Sequence, residues 1–343
     1  MKLIVELSGE HPEIPFAELE ILGRIIDRRK QVAVVETEDP EIAGRLALAH
    51  YVLEYLGECE ARREELRDLL SRLNLSSDSS FAARVKKMHG TTMDASGSDL
   101  ERLIGSMIRG EVSLKDPAQE FRAVISENRC YFGRVLHRFD RASFYHRRPG
   151  NRPFFHPGVM MPKIARALVN ISLVRRGERM LDPFCGTGGI VLEAAMLGIG
   201  AVGSDIDPVM VQGSRKNLFE EDVLVADSTA LPFQESSIDA VVTDLPYGQS
   251  SSLWAKSPES LYIESLHEIR RVLAPGRRAV LVTHRDITSL AGQVMKVEAL
   301  YFQRVHKSLT RKILVLVKEP LPSAPAEVNI GDGSDTLYRQ YEQ

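Results

Sequence analysis

The spacing of apolar and polar positions changes character along the chain, and its second half is the more regular. From residue 177 onward, short apolar runs alternate with amphipathic segments, which predicts strands separated by helices. The predicted strands are Met180–Phe184, Ala201–Asp205, Val223–Ala226, Ile238–Asp244 and Ala279–His284. The predicted helices are Gly189–Leu197, Pro208–Glu220 and Ser260–Leu273. Such an order is typical of a parallel sheet covered by helices on both faces.

The last two apolar segments depart from this alternation. Val297–Arg304 and Lys312–Lys318 are too close in sequence for a helical crossover, so they predict an antiparallel hairpin. A parallel sheet that finishes in such a hairpin is the outline of the Rossmann-like methyltransferase fold. The fold class predicted for this region is therefore α/β.

The first half of the chain predicts a smaller α+β region. Its predicted strands are Lys2–Leu7, Gln31–Glu36, Phe81–Lys87, Phe121–Ser126 and Cys130–Leu136, the last two as a pair. Its predicted helices are Phe16–Ile26, Glu58–Leu73 and Asp99–Arg109. The proline-rich stretch Arg147–Pro157 predicts an ordered connector, and the Pro/Ala/Gly-rich tail from Pro320 a loosely ordered end.

The lengths of the apolar runs and the spacing of the cysteines indicate the compartment in which the protein works. No stretch of the 343 residues is apolar for long enough to span a bilayer. Glu6 interrupts the first apolar run, which therefore reads as a strand and not as a signal peptide. The three cysteines, Cys59, Cys130 and Cys185, lack metal-ligand spacing. We expect a cytoplasmic protein with no disulfide, no metal site and no membrane partner.

The net charge of −3 hides a basic segment. Between Arg122 and Arg166, ten arginines and lysines accompany only two acids, and aromatic rings are interleaved with them. This pattern indicates a patch for RNA phosphates with rings available for stacking, while a solvated basic face is the plainer interpretation.

A glycine-rich turn and three acidic strand ends predict a cofactor site. Gly186, Gly188 and Gly189 follow the first strand of the parallel series, where a ligand can approach the backbone closely. The spacing lacks the full G-x-G-x-x-G of dinucleotide enzymes, which favours S-adenosylmethionine over NAD. Asp182 suits an amino group, and Asp205 suits ribose hydroxyls. Asp227 and Ser228 suit an adenine edge, whereas Asp207, before a proline, is equally suited to capping a helix.

The fourth strand ends in Thr243-Asp-Leu-Pro-Tyr-Gly248, which predicts the catalytic site. The segment resembles the Asp-Pro-Pro-Tyr signature of amino-group methyltransferases, with Leu245 in place of the first proline. Asp244 and the backbone carbonyl of Leu245 or Pro246 can accept hydrogen bonds from an aryl amine and orient its lone pair. Tyr247 offers a ring on which an extruded base can stack.

With these motifs, the segment Arg147-Arg-Pro-Gly-Asn-Arg-Pro-Phe-Phe-His-Pro-Gly158 resembles the archaeal tRNA guanosine-10 N2-methyltransferases. Upstream, Ser80–Lys87 and Gly105–Pro117 resemble the RNA-binding THUMP domain. The resemblance implies a ferredoxin-like domain (1–55), THUMP (56–146), a connector (147–160), the catalytic domain (161–320) and a tail (321–343). It further implies that Phe155, His156 and Pro157 help form the cofactor pocket, that tRNA and not DNA is bound, and that a small activator subunit can be a partner.

The predicted site residues follow from the motifs and the resemblance together. The catalytic residues are Asp244, Pro246 and Tyr247. The cofactor contacts are His156, Asp182, Gly186, Thr187, Gly188, Asp205, Ile206, Asp227 and Ser228. The RNA contacts are Arg84, Lys86, Lys87, Arg138, Arg141, Arg147, Arg148 and Arg152.

The predicted reaction is methyl transfer to N2 of guanosine 10 in tRNA, once or twice. Guanosine 6 of tRNA and ribosomal RNA are the alternative targets, because Asp-x-Pro-Tyr does not separate guanine N2 from adenine N6. A protein-glutamine methyltransferase would leave the THUMP-like segment unexplained. A non-catalytic RNA-binding module with a vestigial methyltransferase fold is the alternative from another class, against which the intact acidic set argues.

Overall fold

A computed structural model describes residues 1–218, 222–246, 257–306 and 309–319. The predicted tail, 321–343, lies outside the described residues. The described chain forms two seven-stranded sheets, the first before residue 140 and the second after residue 178. No helix among the described residues is long and apolar enough to cross a bilayer.

The first sheet has the order β2-β3-β1-β4-β7-β6-β5. Its strands are β1 (Lys2–Leu7), β2 (Arg24–Arg29), β3 (Val32–Glu36), β4 (Ala49–Glu60), β5 (Phe81–Lys87), β6 (Gln119–Ser126) and β7 (Arg129–Arg138). The long strand β4 pairs with β1 on one side and with β7 on the other. The expected domain boundary at 55/56 therefore falls inside a strand, and the segments predicted to be a ferredoxin-like domain and a THUMP domain share one sheet.

The predicted helix Phe16–Ile26 is wrong beyond its first turns. A short helix α1 (Ile14–Glu18) and a 3-10 turn (Leu19–Ile21) are followed directly by the edge strand β2. Gly23 makes the break: its φ is +145°, and a Cβ there would lie 2.3 Å from the carbonyl oxygen of Glu36. Only glycine fits that approach.

The charged helix predicted over Glu58–Leu73 begins later than expected. Helix α2 spans Arg63–Leu73, while Glu58 and Glu60 end strand β4 opposite Tyr131 and Arg129 of β7. The alternation of charged and short side chains in this segment is compatible with a helix and with a strand. Pairing with β7 selects the strand. Helix α3 (Gly97–Met107) packs beside α2 and against β5, as part of one apolar cluster.

The second sheet has the order β10-β9-β8-β11-β12-β14-β13. Its strands are β8 (Arg179–Asp182), β9 (Gly200–Asp205), β10 (Asp222–Val225), β11 (Ile238–Asp244), β12 (Leu273–Thr283), β13 (Lys296–His306) and β14 (Leu309–Val317). The first five are parallel, and the final pair is antiparallel. The predicted Rossmann-like fold with a terminal hairpin is confirmed.

Five helices accompany this sheet in the described chain: α4 (Pro162–Ile171), α5 (Gly189–Ala195), α6 (Pro208–Asn217), α7 (Pro258–Val272) and α8 (Thr288–Gly292). Helix α4 is absent from the elements that the sequence pattern predicts. Its apolar face is regular, and Pro162 stands in its first turn, where a missing N–H costs nothing. Ile164, Leu168 and Ile171 of α4 lie in the same core cluster as strands β8 and β11.

The two regions are joined by a buried polar contact. The carboxylate of Glu18 accepts hydrogen bonds from the backbone N–H groups of Ala47 and Leu48 and from the side chain of Asn170 in α4. Asn170 in turn accepts a 2.6 Å hydrogen bond from Arg45. Ile14, Ala17 and Leu48 share the apolar core of the second sheet, so the first region forms part of the support for α4.

Candidate active site

Four aspartates stand along the carboxyl edge of the second sheet. Asp182, Asp205 and Asp244 are the last residues of β8, β9 and β11, and Asp227 follows β10 by two residues. Because these strands are adjacent and parallel in the order β10-β9-β8-β11, their ends form one continuous line. This is the crevice in which open α/β sheets bind ligands.

The glycine turn lies between the ends of β8 and α5. Gly186 and Gly188 have φ values of +49° and +77°, which favour glycine. A Cβ on Gly186 would meet no atom within 4 Å, so a side chain there would occupy the open space in front of the turn. The carboxylate of Asp205 accepts hydrogen bonds from the N–H groups of Gly186 (2.9 Å) and Asp207 (3.0 Å), which ties the second strand end to the turn.

Asp182 is the most buried acid of the site, with 1% of its surface exposed. Thr243 donates a 2.6 Å hydrogen bond to its carboxylate, and the backbone N–H of Phe184 donates another. Burial nevertheless raises the pKa of Asp182 to about 7, and the charges of Asp205 and Asp244 contribute in the same direction. Burial also raises the pKa of Asp205. A cationic group placed here would favour the ionised forms.

The remaining predicted cofactor residues fall into three groups. Thr187 is buried within the turn, while Ile206 is exposed beyond β9. Asp227 is exposed and binds Thr229 in a local turn. The side chain of Ser228 is buried and bonded to Ser265, so it supports helix α7; an adenine contact from this residue would use its backbone. Asp207 caps α6 by accepting from Val209 N–H, the alternative role considered for it.

The catalytic motif leaves β11 in a supported conformation. The N–H of Leu245 donates to the carbonyl of Val282 in β12, and the Tyr262 hydroxyl donates a 2.7 Å hydrogen bond to the carbonyl of Pro246. The Pro246 carbonyl oxygen therefore already accepts one hydrogen bond, from the side chain of Tyr262 in α7. Tyr247 lies outside the described residues.

The connector packs against the glycine turn. Arg152 is 8% exposed, and its Nη1 atom lies 2.8 Å from the position of a Cβ on Gly189. Phe154 exchanges two backbone hydrogen bonds with the side chain of Asn217, which also donates to the carbonyl of Thr187. Phe155 and His156 are exposed on the same segment. The connector thus reaches the cofactor side of the sheet.

Burial argues against two of the predicted RNA contacts, Arg147 and Arg152. Arg147 forms an ion pair with the buried Glu193, and the buried guanidinium of Arg152 faces the glycine turn, so neither side chain is presented to phosphates. Arg84 and Lys87 donate to backbone carbonyls of their own region. The side chains exposed as predicted are Lys86, Arg138 and Arg148; the side chain of Arg141 lies outside what the structure describes.

Two residues beside the site are not predicted from the sequence. Glu193 of α5 is fully buried and pairs with both Arg147 and Arg166. Its only signal is a single acid in an otherwise apolar helix. Arg311 of β14 lies 3.4 Å from Asp244. Nothing in the local sequence distinguishes Arg311 from its basic neighbours, because the contact depends on how the terminal hairpin folds over the sheet edge.

The sheet, the glycine turn and the acidic edge define a Rossmann-like methyltransferase domain, and the RMKL-like methyltransferase domain family matches residues 149–313. The chain is 37% identical to the tRNA (guanine(10)-N2)-dimethyltransferase of Methanothermobacter thermautotrophicus, over 92% of this chain and 99% of that protein. It is 32% identical to the protein of that name from Methanocaldococcus jannaschii, over 91% and 98%. The chain belongs to the tRNA (guanine(10)-N2)-dimethyltransferase family.

A solved structure agrees on the fold. TrmN from Thermus thermophilus superposes with a TM-score of 0.52 and 23% identity, covering 93% of this chain and 100% of that one. At this identity the likeness shows the shared fold, including the sheet that precedes the methyltransferase domain.

Proposed function

We propose that this protein transfers methyl groups from S-adenosylmethionine to the exocyclic N2 of guanosine 10 in tRNA. The observation that carries the proposal is the near full-length similarity to relatives of that name, together with an intact acidic edge. The same relatives argue against guanosine 6 or ribosomal RNA as the target, and against a vestigial, non-catalytic fold.

The residues present fit S-adenosylmethionine. The open space in front of Gly186 lets a ligand approach the backbone, where any Cβ would intrude. Asp182 would face the ammonium group, Asp205 the ribose hydroxyls and Asp227 the adenine edge. When bound, the cofactor supplies an electrophilic methyl group.

The chain's own contribution to the chemistry centres on Asp244. Its carboxylate, one-fifth exposed at the end of β11, can accept an N–H of the guanine amine and orient the nitrogen lone pair. The same charge stabilises the positive charge that develops on nitrogen as the bond to carbon forms. Loss of the proton to solvent then completes the transfer.

The first sheet and its helices supply the surface proposed for tRNA. Arg63, Arg67 and Arg102 line a groove of ≈ 440 Å³ between α2 and α3, together with Ser106 and with Asp99, which pairs with Arg102. Guanidinium groups in such a groove suit phosphates, and phosphate contacts supply affinity without reading sequence. Exposed Lys86, Arg138 and Arg148 extend this basic character. A small activator subunit stays a prediction of the family resemblance.

Paired transcripts test the proposal. A tRNA transcript with guanosine 10 should incorporate methyl groups from labelled S-adenosylmethionine, whereas the same transcript with adenosine at that position should not. Equal incorporation into both transcripts would contradict the assignment of the target.

A further inference from the structure

A buried arginine connects three parts of the site. Arg311, in β14, is 6% exposed. Its Nη2 atom lies 3.4 Å from Oδ2 of Asp244 and donates a 3.1 Å hydrogen bond to the carbonyl of Gly158. One guanidinium therefore joins the terminal hairpin, the catalytic strand and the connector.

Register explains how Arg311 reaches the site. In the antiparallel pair of β12 and β14, Lys312 stands opposite Thr283, the last residue of β12. Arg311 comes one position earlier in β14 and hence lies just beyond the end of β12, two positions past Ile313, which is level with Asp244 through Val282. Arg278, a second shielded arginine of the same sheet, stands opposite Val317 and pairs with Glu20 and Glu298, away from this edge.

We propose that Arg311 is a positioning residue, which holds the Asp244 carboxylate in the ionised form and in the orientation needed to accept the guanine amine. An arginine side chain is not a proton donor or acceptor in ordinary enzyme chemistry, so the role proposed here involves no proton transfer. Its effect is electrostatic and geometric: it favours the carboxylate over the acid and limits rotation of the Asp244 side chain.

The contact with Gly158 gives Arg311 a second role in the same arrangement. Gly158 ends the segment that carries Phe155 and His156, and its φ of +86° directs the chain sharply there. Because a single Nη2 atom serves both Gly158 and Asp244, the connector and the catalytic carboxylate are held at a fixed separation. If Arg311 acts mainly through Asp244, its replacement should disturb turnover more than it disturbs binding of either substrate.

The test compares Arg311→Gln and Arg311→Lys with the wild-type protein. In single-turnover methylation of tRNA, we expect Arg311→Gln to lower the rate on the order of 10- to 100-fold, as for a misplaced catalytic group. The Kd for S-adenosylmethionine and the Kd for tRNA should change little. Arg311→Lys restores the charge without the planar fork and should recover part of the rate.

A double-mutant cycle separates positioning from general support. If Arg311 acts through Asp244, then Arg311→Gln should cost far less in an Asp244→Asn background than in the wild type. Arg278→Gln is the matched control, and we expect it to lower the melting temperature without lowering the rate below that temperature. Should Arg311→Gln fail to fold, Arg311→Lys in both backgrounds carries the same comparison.

The inference would be overturned by an unchanged rate in Arg311→Gln, by an equal loss in both backgrounds, or by a loss confined to the Kd of the cofactor. It rests on the proposed methylation of tRNA. Absence of methylation by the wild-type protein would contradict that function, whereas an active wild type with an indifferent Arg311 would contradict this inference alone.

Discussion

At the residue scale, Asp244 is the acid on which we propose that the chemistry depends. We expect Asp244→Ala to lower turnover on the order of 10²- to 10³-fold, because the reacting amine loses its charged acceptor. Binding of S-adenosylmethionine, measured calorimetrically, should stay close to that of the wild type, since the proposed cofactor contacts lie on neighbouring strands. Wild-type turnover in this variant would remove Asp244 from the mechanism.

We expect Asp182, as a proposed cofactor contact, to introduce a pH dependence into cofactor binding. With a pKa of about 7 in the free protein, this carboxyl is largely protonated at lower pH. The cofactor's ammonium group favours the carboxylate, so binding below pH 7 requires release of a proton. Affinity should therefore rise with pH, by up to about tenfold per unit below pH 7, and level off above it.

Calorimetric titrations at several pH values measure this effect. Asp182→Asn removes the titrating group and should bind more weakly with a flatter pH profile, to which Asp205, whose pKa is also raised, still contributes. A wild-type affinity that stays constant from pH 5.5 to 8, roughly the range that spans the shifted value, would contradict the role of Asp182.

The sequence predicts these acids well and the arginines poorly. An acid that ends an apolar parallel strand must lie at the carboxyl end of the sheet. Asp182, Asp205 and Asp244 can therefore be placed from the strand pattern alone. An arginine reaches far from its Cα, and its partner is set by tertiary structure. Arg152, predicted to contact RNA, is instead buried against the glycine turn.

At the element scale, helix α5 depends on a buried ion pair. Glu193 is fully buried and pairs with Arg147 of the connector (2.7 Å) and with Arg166 of α4 (2.8 Å). Glu193→Gln would leave two shielded guanidinium groups without a counter-charge, and we expect it to lower the free energy of unfolding by about 3–5 kcal/mol.

Denaturant unfolding of two variants measures this contribution. Glu36→Gln is the matched control, because Glu36 pairs with Arg24 on an exposed surface, where an ion pair contributes little. If the free energy of unfolding falls equally in the two variants, the pairing of Glu193 does not hold the connector and α4 to α5.

Element boundaries show where local patterns stop being informative. The parallel strands β8 to β11 are short, apolar and flanked by turns, so their predicted positions agree closely with the structure. Strand β12, in contrast, begins at Leu273, well before the predicted start at Ala279. Strand β4 is half polar, and its last residues suit a helix as well as a strand. The pairing of Glu60 with Arg129 in the distant strand β7 decides between the two, and no local window of sequence contains both residues.

At the scale of the whole molecule, the two regions are less separable than the sequence indicates. Strand β4 crosses the expected domain boundary, and Ile14 and Leu48 of the first region lie in the core of the second sheet. A fragment that starts near Arg152 would expose that part of the core. Point substitutions in the full chain therefore test the roles proposed for the two regions, tRNA binding by the first and methyl transfer by the second, better than truncation does.

The arginine groove between α2 and α3 allows such a test. Replacing Arg63, Arg67 and Arg102 together by glutamine should weaken tRNA binding and reduce the slope of log Kd against log salt by up to about three, one for each phosphate that the variant no longer binds. The Kd for S-adenosylmethionine should not change. Arg24→Gln with Arg28→Gln, on the opposite edge strand β2, is the control. An unaltered salt slope in the triple variant would place the tRNA elsewhere.

The aspartates at the carboxyl end of the second sheet are proposed to serve methyl transfer to a single atom, N2 of guanosine 10. The most direct test of this proposal is mass-spectrometric mapping of tRNA after incubation with the full-length protein and isotopically labelled S-adenosylmethionine. We expect label on N2 of guanosine 10 with the wild type and far less label with Asp244→Ala. Label at another nucleotide, or no label with a wild-type protein that binds both substrates, would contradict the proposal.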